Sequence, residues 1–136
     1  MDKKTLDLLT ERGLASHMNN TKWRELCEAV DGLPFAPPYQ VKLLRDPEPY
    51  PVTFDYAPSY LGDWAKTFEA RLDEQVEWIK VAPRYRTNGV RLFDPVINNC
   101  SGQFRSILKR LRVPYVEADG LFTIYGHAGP IAFDTQ

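Results

Sequence analysis

Apolar side chains recur in this sequence with two different periods, and the switch between them constrains the fold more than any other feature. One stripe follows the i, i+3, i+4, i+7 spacing of a helix face and consists of Trp23, Leu26, Cys27 and Val30. A second helical stripe consists of Phe104, Ile107, Leu108 and Leu111. Between them the period falls to two at Tyr39, Val41 and Leu43, as in a half-buried strand. The pattern therefore predicts a mixed chain of helices and strands.

Cap and turn residues set the expected ends of the two main helices. Asn20 or Thr21 is predicted to cap the first helix, which ends at Asp31-Gly32. The second is expected to begin near Ser101 and to be closed by Pro114.

The remaining strands are predicted from period and turn chemistry. Val76–Val81 has apolar residues on both faces, as a central strand does. Tyr115–Ala118 and Leu121–Tyr125 flank Asp119-Gly120, the residue pair of a type I′ hairpin turn. Residues 50–56 alternate but contain a proline, which predicts an edge strand. Residues 131–133 are a further short strand candidate, and residues 64–72 fit a helix or a strand, with the strand favoured.

These elements predict an α+β fold in which two main helices pack on an antiparallel sheet of four to six strands. A short helix between a capping Asp2 and a terminating Gly13 precedes them. Because Met18 begins a stretch that reads as an independent start, residues 1–17 are interpreted as an N-terminal extension and residues 18–136 as one α+β domain.

Composition narrows the class of protein. The length of 136 residues suits one domain, and 43% hydrophobic with 26% charged residues are globular values. There is no apolar run of membrane-span length and no signal-peptide h-region, so we expect a cytoplasmic protein without membrane contact. Two cysteines, Cys27 and Cys100, are too few for a disulfide scaffold. The histidines and cysteines lack the paired spacing of metal ligands, and no glycine-rich phosphate loop is present, so no metal or cofactor is expected.

One catalytic hypothesis rests on Asn99-Cys100-Ser101-Gly102. A cysteine at a helix N-terminus has its thiolate favoured by the helix dipole. With His127 as base and Asp119 as orienting carboxylate, Cys100 would form a thiol-hydrolase set. The short motifs Cys-Ser-Gly and His-Ala-Gly resemble those of cell-wall peptidases of the papain-like class. Only 26 residues separate Cys100 from His127, however, and the Asp119-Gly120 hairpin uses most of them.

Charge is segregated along the chain despite a net charge of −1. Residues 46–77 carry eight acids and two bases, whereas residues 80–112 carry eight bases and one acid. The acidic segment supplies candidate contacts for a basic protein partner, namely Asp55, Tyr56, Tyr60, Asp63, Asp73, Glu74 and Glu77. The basic segment supplies candidate nucleic-acid contacts, namely Arg84, Tyr85, Arg86, Arg91, Arg105, Lys109 and Arg112.

Four motifs occur in a familiar order: Asn19-Asn20-Thr21-Lys22-Trp23-x-x-Leu26-x-x-Ala29, Val76-Glu77-Trp78-Ile79-Lys80-Val81, Ile107-Leu108-Lys109-x-Leu111-x-Val113-Pro114 and Gly120-Leu121-Phe122-x-Ile124-Tyr125-Gly126. In this order the chain resembles a family of small bacterial domains of unknown function, of the kind associated with polymorphic-toxin immunity proteins. The resemblance covers most of residues 19–134 and is least in the loops 46–63 and 84–99. It implies structural motifs and supplies no catalytic residues.

The leading prediction is a non-enzymatic binding protein, an immunity protein that neutralises a cognate toxin by protein–protein occlusion. The two alternatives are a cysteine hydrolase using Cys100 and His127, and a regulatory nucleic-acid-binding protein using residues 80–112. A protein partner is expected more than nucleic acid, and no oligomeric state follows from the pattern.

Overall fold

The described structure is organised around a four-stranded antiparallel sheet. A computed structural model describes residues 2–58, 75–86 and 97–134. Within these ranges the helices are α1 (Lys3–Arg12), α2 (Asn20–Val30) and α3 (Ser101–Arg110). The strands are β1 (Ala15–Ser16), β2 (Tyr39–Leu43), β3 (Val76–Val81), β4 (Arg84–Arg86), β5 (Ile97–Asn99), β6 (Tyr115–Ala118), β7 (Leu121–Tyr125) and β8 (His127–Ala128).

Strand β3 lies inside the main sheet, as its two-sided apolar pattern predicts. The order is β2-β3-β7-β6, with every neighbouring pair antiparallel. Two smaller sheets pair β1 with β8 and β4 with β5. The predicted α+β class is therefore confirmed.

The two apolar helix stripes meet this sheet in one core. Trp23, Leu26 and Val30 of α2 are buried together with Phe104 and Leu108 of α3. The sheet side of this core consists of Tyr39, Val76, Ile79, Val81, Tyr115, Phe122 and Ile124. Burial of this much apolar surface is the main stabilising contribution to the fold.

The helix N-termini differ in detail from the prediction. Asn19 caps α2, because its side-chain oxygen accepts from the backbone N–H of Lys22 at 2.8 Å. The cap therefore lies one residue before Asn20, as a non-helical residue with an accepting side chain is required there. Helix α3 begins at Ser101 as predicted, but Cys100 in its N-cap position makes no capping hydrogen bond. Asn99 instead accepts from the Ser101 N–H at 2.8 Å.

The N-terminal segment is packed against the rest of the fold. Asp2 caps α1 and Gly13 ends it in the left-handed region, both as predicted. Leu9 is buried, β1 pairs with β8, and Arg12 makes a two-armed contact with Glu77 at 3.0 and 3.1 Å. The segment interpreted as an extension thus contacts strands β3 and β8 of the sequence that follows it.

The β6–β7 hairpin forms as predicted, whereas residues 50–56 and 131–133 do not form the predicted strands. Asp119 and Gly120 both have positive φ, as a type I′ turn requires. Residues 131–133 are not a strand, and Asp134 instead bonds the backbone of β6 at Tyr115 and Glu117. Residues 50–56 are a loop whose backbone pairs with β2 at one bridge, between Tyr50 and Val41. Residues 64–72 lie outside the described ranges.

None of the helices in the described part of the chain combines the length and hydropathy needed to cross a bilayer.

Candidate functional site

Arg84 lies at the centre of the candidate site and is buried rather than exposed. The sequence placed it on a basic surface, but its side chain is only 2% accessible. Its guanidinium donates to the Tyr56 carbonyl at 2.9 Å, the Gly120 carbonyl at 2.6 Å and the Ser101 hydroxyl at 3.1 Å. A planar fork of donors suits such a convergence of acceptors from separate chain segments. Arg84 therefore joins a loop, the β6–β7 turn and the start of α3.

Tyr56 packs directly over this guanidinium. The Arg84 Cζ atom lies 4.0 Å from the centroid of the Tyr56 ring, a cation–π distance. The same ring lies against Gly120, where an added Cβ would come within 2.3 Å of the Tyr56 Cε2 atom. Gly120 is thus required both for its positive φ and for the space that the ring occupies.

Arg84 has no carboxylate partner among the described residues. Its three acceptors are neutral, and its Nε atom is buried without a hydrogen bond. Burial lowers the pKa of the guanidinium, while the nearby Tyr56, Cys100 and Glu117 raise it. Burying a cation without a carboxylate partner costs desolvation free energy. The three acceptors and the Tyr56 ring must therefore stabilise the Arg84 guanidinium.

The segment anchored by Arg84 is a loop of residues 46–58, which we call the acidic loop. Its backbone is also held by Gln40, whose side chain donates to the carbonyls of Pro51 at 2.8 Å and Val52 at 3.3 Å. Val41 and Tyr50 exchange two backbone hydrogen bonds, and the Arg86 N–H donates to the Pro58 carbonyl at 2.9 Å. The loop backbone is therefore fixed at several points along its length.

Three large side chains of the acidic loop, in contrast, face solvent. Tyr50, Val52 and Tyr56 are 78%, 63% and 53% exposed, which is unusual for large apolar side chains in sequence proximity. The loop carries three acidic residues, Asp46, Glu48 and Asp55, and no basic residue. All three are exposed, and no described residue pairs with them. The result is an apolar, acidic surface on an anchored backbone.

The predicted acidic contact set is only partly assembled at this surface. Asp55 and Tyr56 are exposed in the loop. Glu77 is not available there, because its carboxylate pairs with Arg12 and Lys42 at 3.0 and 3.1 Å. Burial raises the pKa of Glu77, but hydrogen bonds from these two cations outweigh it and hold the pKa below its ordinary value. The other members, Tyr60, Asp63, Asp73 and Glu74, lie outside the described residues.

The predicted basic set is divided by the fold. Besides the buried Arg84, Tyr85 packs edge-on against Phe35 with ring centroids 4.7 Å apart. Arg105 is engaged by Glu117 in a two-armed contact at 2.9 and 2.7 Å. The exposed members are Arg86, Lys109 and Arg112. Arg91 lies outside the described residues.

Cys100 and His127 are not brought together. The Cys100 N–H bonds the Pro83 carbonyl beyond the C-terminal end of β3, whereas Gly126, next to His127, bonds Glu77 near its N-terminal end. The chain between these anchor points spans roughly 20 Å when extended. Asp119 lies in the turn at the Cys100 end, and His127 instead contacts Ser16, with Nδ1 and Oγ 2.9 Å apart.

The environment of Cys100 also differs from that of a nucleophile. The thiol is buried, and burial raises its pKa to about 11 although Arg84 acts in the opposite direction. At neutral pH it is therefore protonated, whereas a reactive cysteine is a thiolate. In the described ranges, no three His, Cys, Asp or Glu side chains converge as a metal site would require.

Comparison with protein families gives one match. The profile of a family of unknown function (DUF6678) matches residues 5–130. The chain belongs to this family. The DUF6678 match begins inside α1 and extends past β8, so it includes the N-terminal segment as well as the four motifs noted in the sequence. No curated protein and no solved structure matches the chain.

Proposed function

We propose that this chain is a non-enzymatic protein-binding domain that neutralises a cognate bacterial toxin by covering its active surface. The acidic loop is the contact surface. The observation that carries the proposal is the contrast between its backbone, fixed by Arg84, Gln40 and Val41, and its exposed side chains Tyr50, Val52 and Tyr56. A segment held in one conformation loses little conformational entropy on binding, which favours affinity.

The chemistry of the loop fits a protein partner. Tyrosine is enriched at interface hot spots because it provides a large apolar area and a polar tip. The three carboxylates, which have no ion-pair partner among the described residues, add a negative field that speeds association with a basic surface. A toxin that binds nucleic acid presents such a basic surface, so a nuclease is the partner class that this loop suits best.

The exposed loop supports this function more than the basic segment supports nucleic-acid binding. Arg84 and Arg105 are engaged by groups of the fold itself. Tyr85, which would stack on a base, packs on Phe35. The proposal includes a cytoplasmic location, which is supported by the two free cysteines Cys27 and Cys100 in place of a disulfide.

Co-expression with the product of the neighbouring gene tests the proposal. We expect that protein to co-purify with the tagged chain in a fixed ratio. The double variant Tyr50→Ser/Val52→Ser should abolish co-purification, because it removes the apolar contacts and leaves the anchors in place. The matched control is Leu6→Ser, since Leu6 is an exposed apolar residue on α1. Absence of co-purification, or equal loss in the control, would contradict the proposal.

A further inference from the structure

Strand β6 forms the edge of the main sheet opposite β2, the strand with which the acidic loop pairs. In an antiparallel pair, every second residue turns its N–H and C=O away from the partner strand. Because Ala118 and Leu121 face each other across the two-residue turn, the outward-turned residues of β6 are Tyr115 and Glu117. Such a row of outward backbone groups is a template for the addition of another strand.

A single residue, Asp134, bonds to both of these outward-turned positions. Its N–H donates to the Tyr115 carbonyl at 2.8 Å, and its carboxylate accepts from the Glu117 N–H at 2.6 Å. A strand added to β6 would need the same carbonyl and the same N–H. Asp134 therefore closes this edge of the sheet against strand addition.

The segment that carries Asp134 makes few buried contacts of its own. We call residues 130–134 the strap, and all of them except Phe133 are exposed. The Phe133 ring lies 5.0 Å from the His17 ring and 6.1 Å from the Tyr125 ring, measured between centroids. A cavity of about 370 Å³ lies beside the start of the strap, lined by Gly13, Ala15, His17, Ala128, Gly129, Pro130 and Ile131. A segment with few buried apolar contacts opens at a lower free energy than the core does.

The outward groups of β6 are complementary to those of a second copy of β6. Tyr115 and Glu117 lie on either side of Val116. If two copies run antiparallel with Val116 opposite Val116, each Tyr115 carbonyl meets the Glu117 N–H of the other copy. Each Glu117 carboxylate is already engaged by Arg105 at 2.9 and 2.7 Å, so the pairing does not bring two uncompensated charges together.

We propose that the strap is a displaceable closure of β6, and that its release lets two copies join through β6 into one continuous antiparallel sheet. In the closed chain, Asp134 satisfies the Tyr115 carbonyl and the Glu117 N–H. In the joined pair, the second copy satisfies the same two groups. The balance between the two states therefore depends on Asp134 and is independent of the acidic loop.

A series of substitutions at Asp134 tests the closure. Asp134→Pro removes both the N–H and the carboxylate, Asp134→Ala removes the carboxylate alone, and Asp134→Asn keeps the N–H and an accepting oxygen. We expect the dimer dissociation constant, measured by sedimentation velocity, to fall at least tenfold in the proline variant and less in the alanine variant, because release of the strap then breaks fewer hydrogen bonds. Asp134→Asn should behave as wild type. The matched control is Asp7→Ala, which removes the same charge from an exposed position on α1 and should have no effect.

Disulfide cross-linking in the Asp134→Ala background locates the contact. In the proposed register the two Val116 residues form a non-hydrogen-bonded pair with Cα atoms about 4.5 Å apart, which is within disulfide range. Val116→Cys should therefore give a covalent dimer on oxidation. Ala118→Cys lies on the same face of β6, but its counterpart is about 13 Å away along the strand, so it should not cross-link.

Two results would overturn the proposal. One is a folded Asp134→Pro or Asp134→Ala chain that associates no more strongly than wild type. The alanine variant changes only an exposed side chain, so it decides this point even if the proline variant does not fold. The other is cross-linking through Ala118→Cys that equals or exceeds cross-linking through Val116→Cys, since that would place the contact outside the proposed register.

Discussion

Arg84 contacts Tyr56 in two ways, through a 2.9 Å hydrogen bond to its carbonyl and a 4.0 Å approach to its ring. The first contact fixes the loop backbone and the second positions a side chain that is half exposed. Because the guanidinium is itself buried and linked to Gly120 and Ser101, the position of the acidic loop depends on the hairpin turn and on α3. The proposed binding surface is thus positioned by a buried side chain of the fold.

Replacing the buried guanidinium should destabilise the protein. Arg84→Lys keeps the charge but supplies no planar fork, so at least one of the carbonyls of Tyr56 and Gly120 and the Ser101 hydroxyl loses its donor. We expect a loss of about 2–4 kcal/mol in the free energy of unfolding, measured by urea denaturation.

The matched control is Arg86→Lys, two residues away on the same strand but exposed. Its effect should remain within about 0.5 kcal/mol. Equal stability of the two variants would show that the Arg84 contacts contribute little.

Gly120→Ala should destabilise the protein, in part because the added methyl group displaces the Tyr56 ring. Gly13 and Gly120 both have positive φ, but nothing lies within 4 Å of an added Cβ at Gly13. Gly13→Ala should therefore cost about 1 kcal/mol for backbone strain alone. Gly120→Ala should cost about 1 kcal/mol more, because the Tyr56 ring must leave Arg84.

A Tyr56→Ala background tests that assignment. Without the ring, the extra cost of Gly120→Ala over Gly13→Ala should vanish in the same denaturation experiment. If the extra cost persists in this background, the ring contact is not its cause.

The sequence predicted those elements whose residues satisfy local and global requirements together. The stripe beginning at Trp23 packs where its helical period directs it, and Asp119-Gly120 forms its hairpin turn because both residues tolerate positive φ. Residues 50–56 do not meet both requirements. Their alternation is typical of a strand, yet only Tyr50 pairs with β2, and Tyr50, Val52 and Tyr56 face solvent.

Lowering the pH should weaken the contact between α1 and the sheet. Glu77 has a folded-state pKa below its ordinary 4.5, so its contribution to stability is full above that value and is lost as pH falls through the folded pKa. Glu77→Gln should be less stable than wild type near pH 7, and the difference should shrink by about 1 kcal/mol on acidification to about pH 3. Urea denaturation at a series of pH values measures it.

The control for this series is Glu48→Gln, which changes an exposed carboxylate without an ion-pair partner among the described residues. Its stability should follow that of wild type across the pH range. A Glu77→Gln difference that grows on acidification would reverse the expected sign and contradict the assignment.

Both thiols should react slowly in the folded protein. Burial raises the pKa of Cys27 and of Cys100 to about 11 each. At pH 8 a thiol with that pKa has roughly a hundredfold less thiolate than a free cysteine. Reaction with a disulfide reagent should therefore be slow until urea is added. A Cys100 that reacts as fast as a free thiol would revive the hydrolase hypothesis.

The candidate site was harder to predict than the fold because its central residue, Arg84, is buried without a carboxylate partner among the described residues. Arginine is seldom buried without a carboxylate, so sequence placed Arg84 on the surface with its basic neighbours. Its acceptors are two backbone carbonyls and one hydroxyl, which leave no pattern in the sequence. The pairing of Glu77 was not predicted for a related reason, because Arg12 lies far away along the chain but adjacent in space. Tyr50 and Val52 were missed because an edge strand would have half-buried them.

The most direct test of the binding surface is hydrogen–deuterium exchange of the chain alone and in complex with its co-purified partner. We predict that protection on binding is greatest in residues 46–56 and does not occur in α1. Side-chain oxidation of Tyr50 in the same complex should fall at least severalfold. Unchanged exchange in the acidic loop, with protection instead at the exposed basic residues Lys109 and Arg112, would contradict the account.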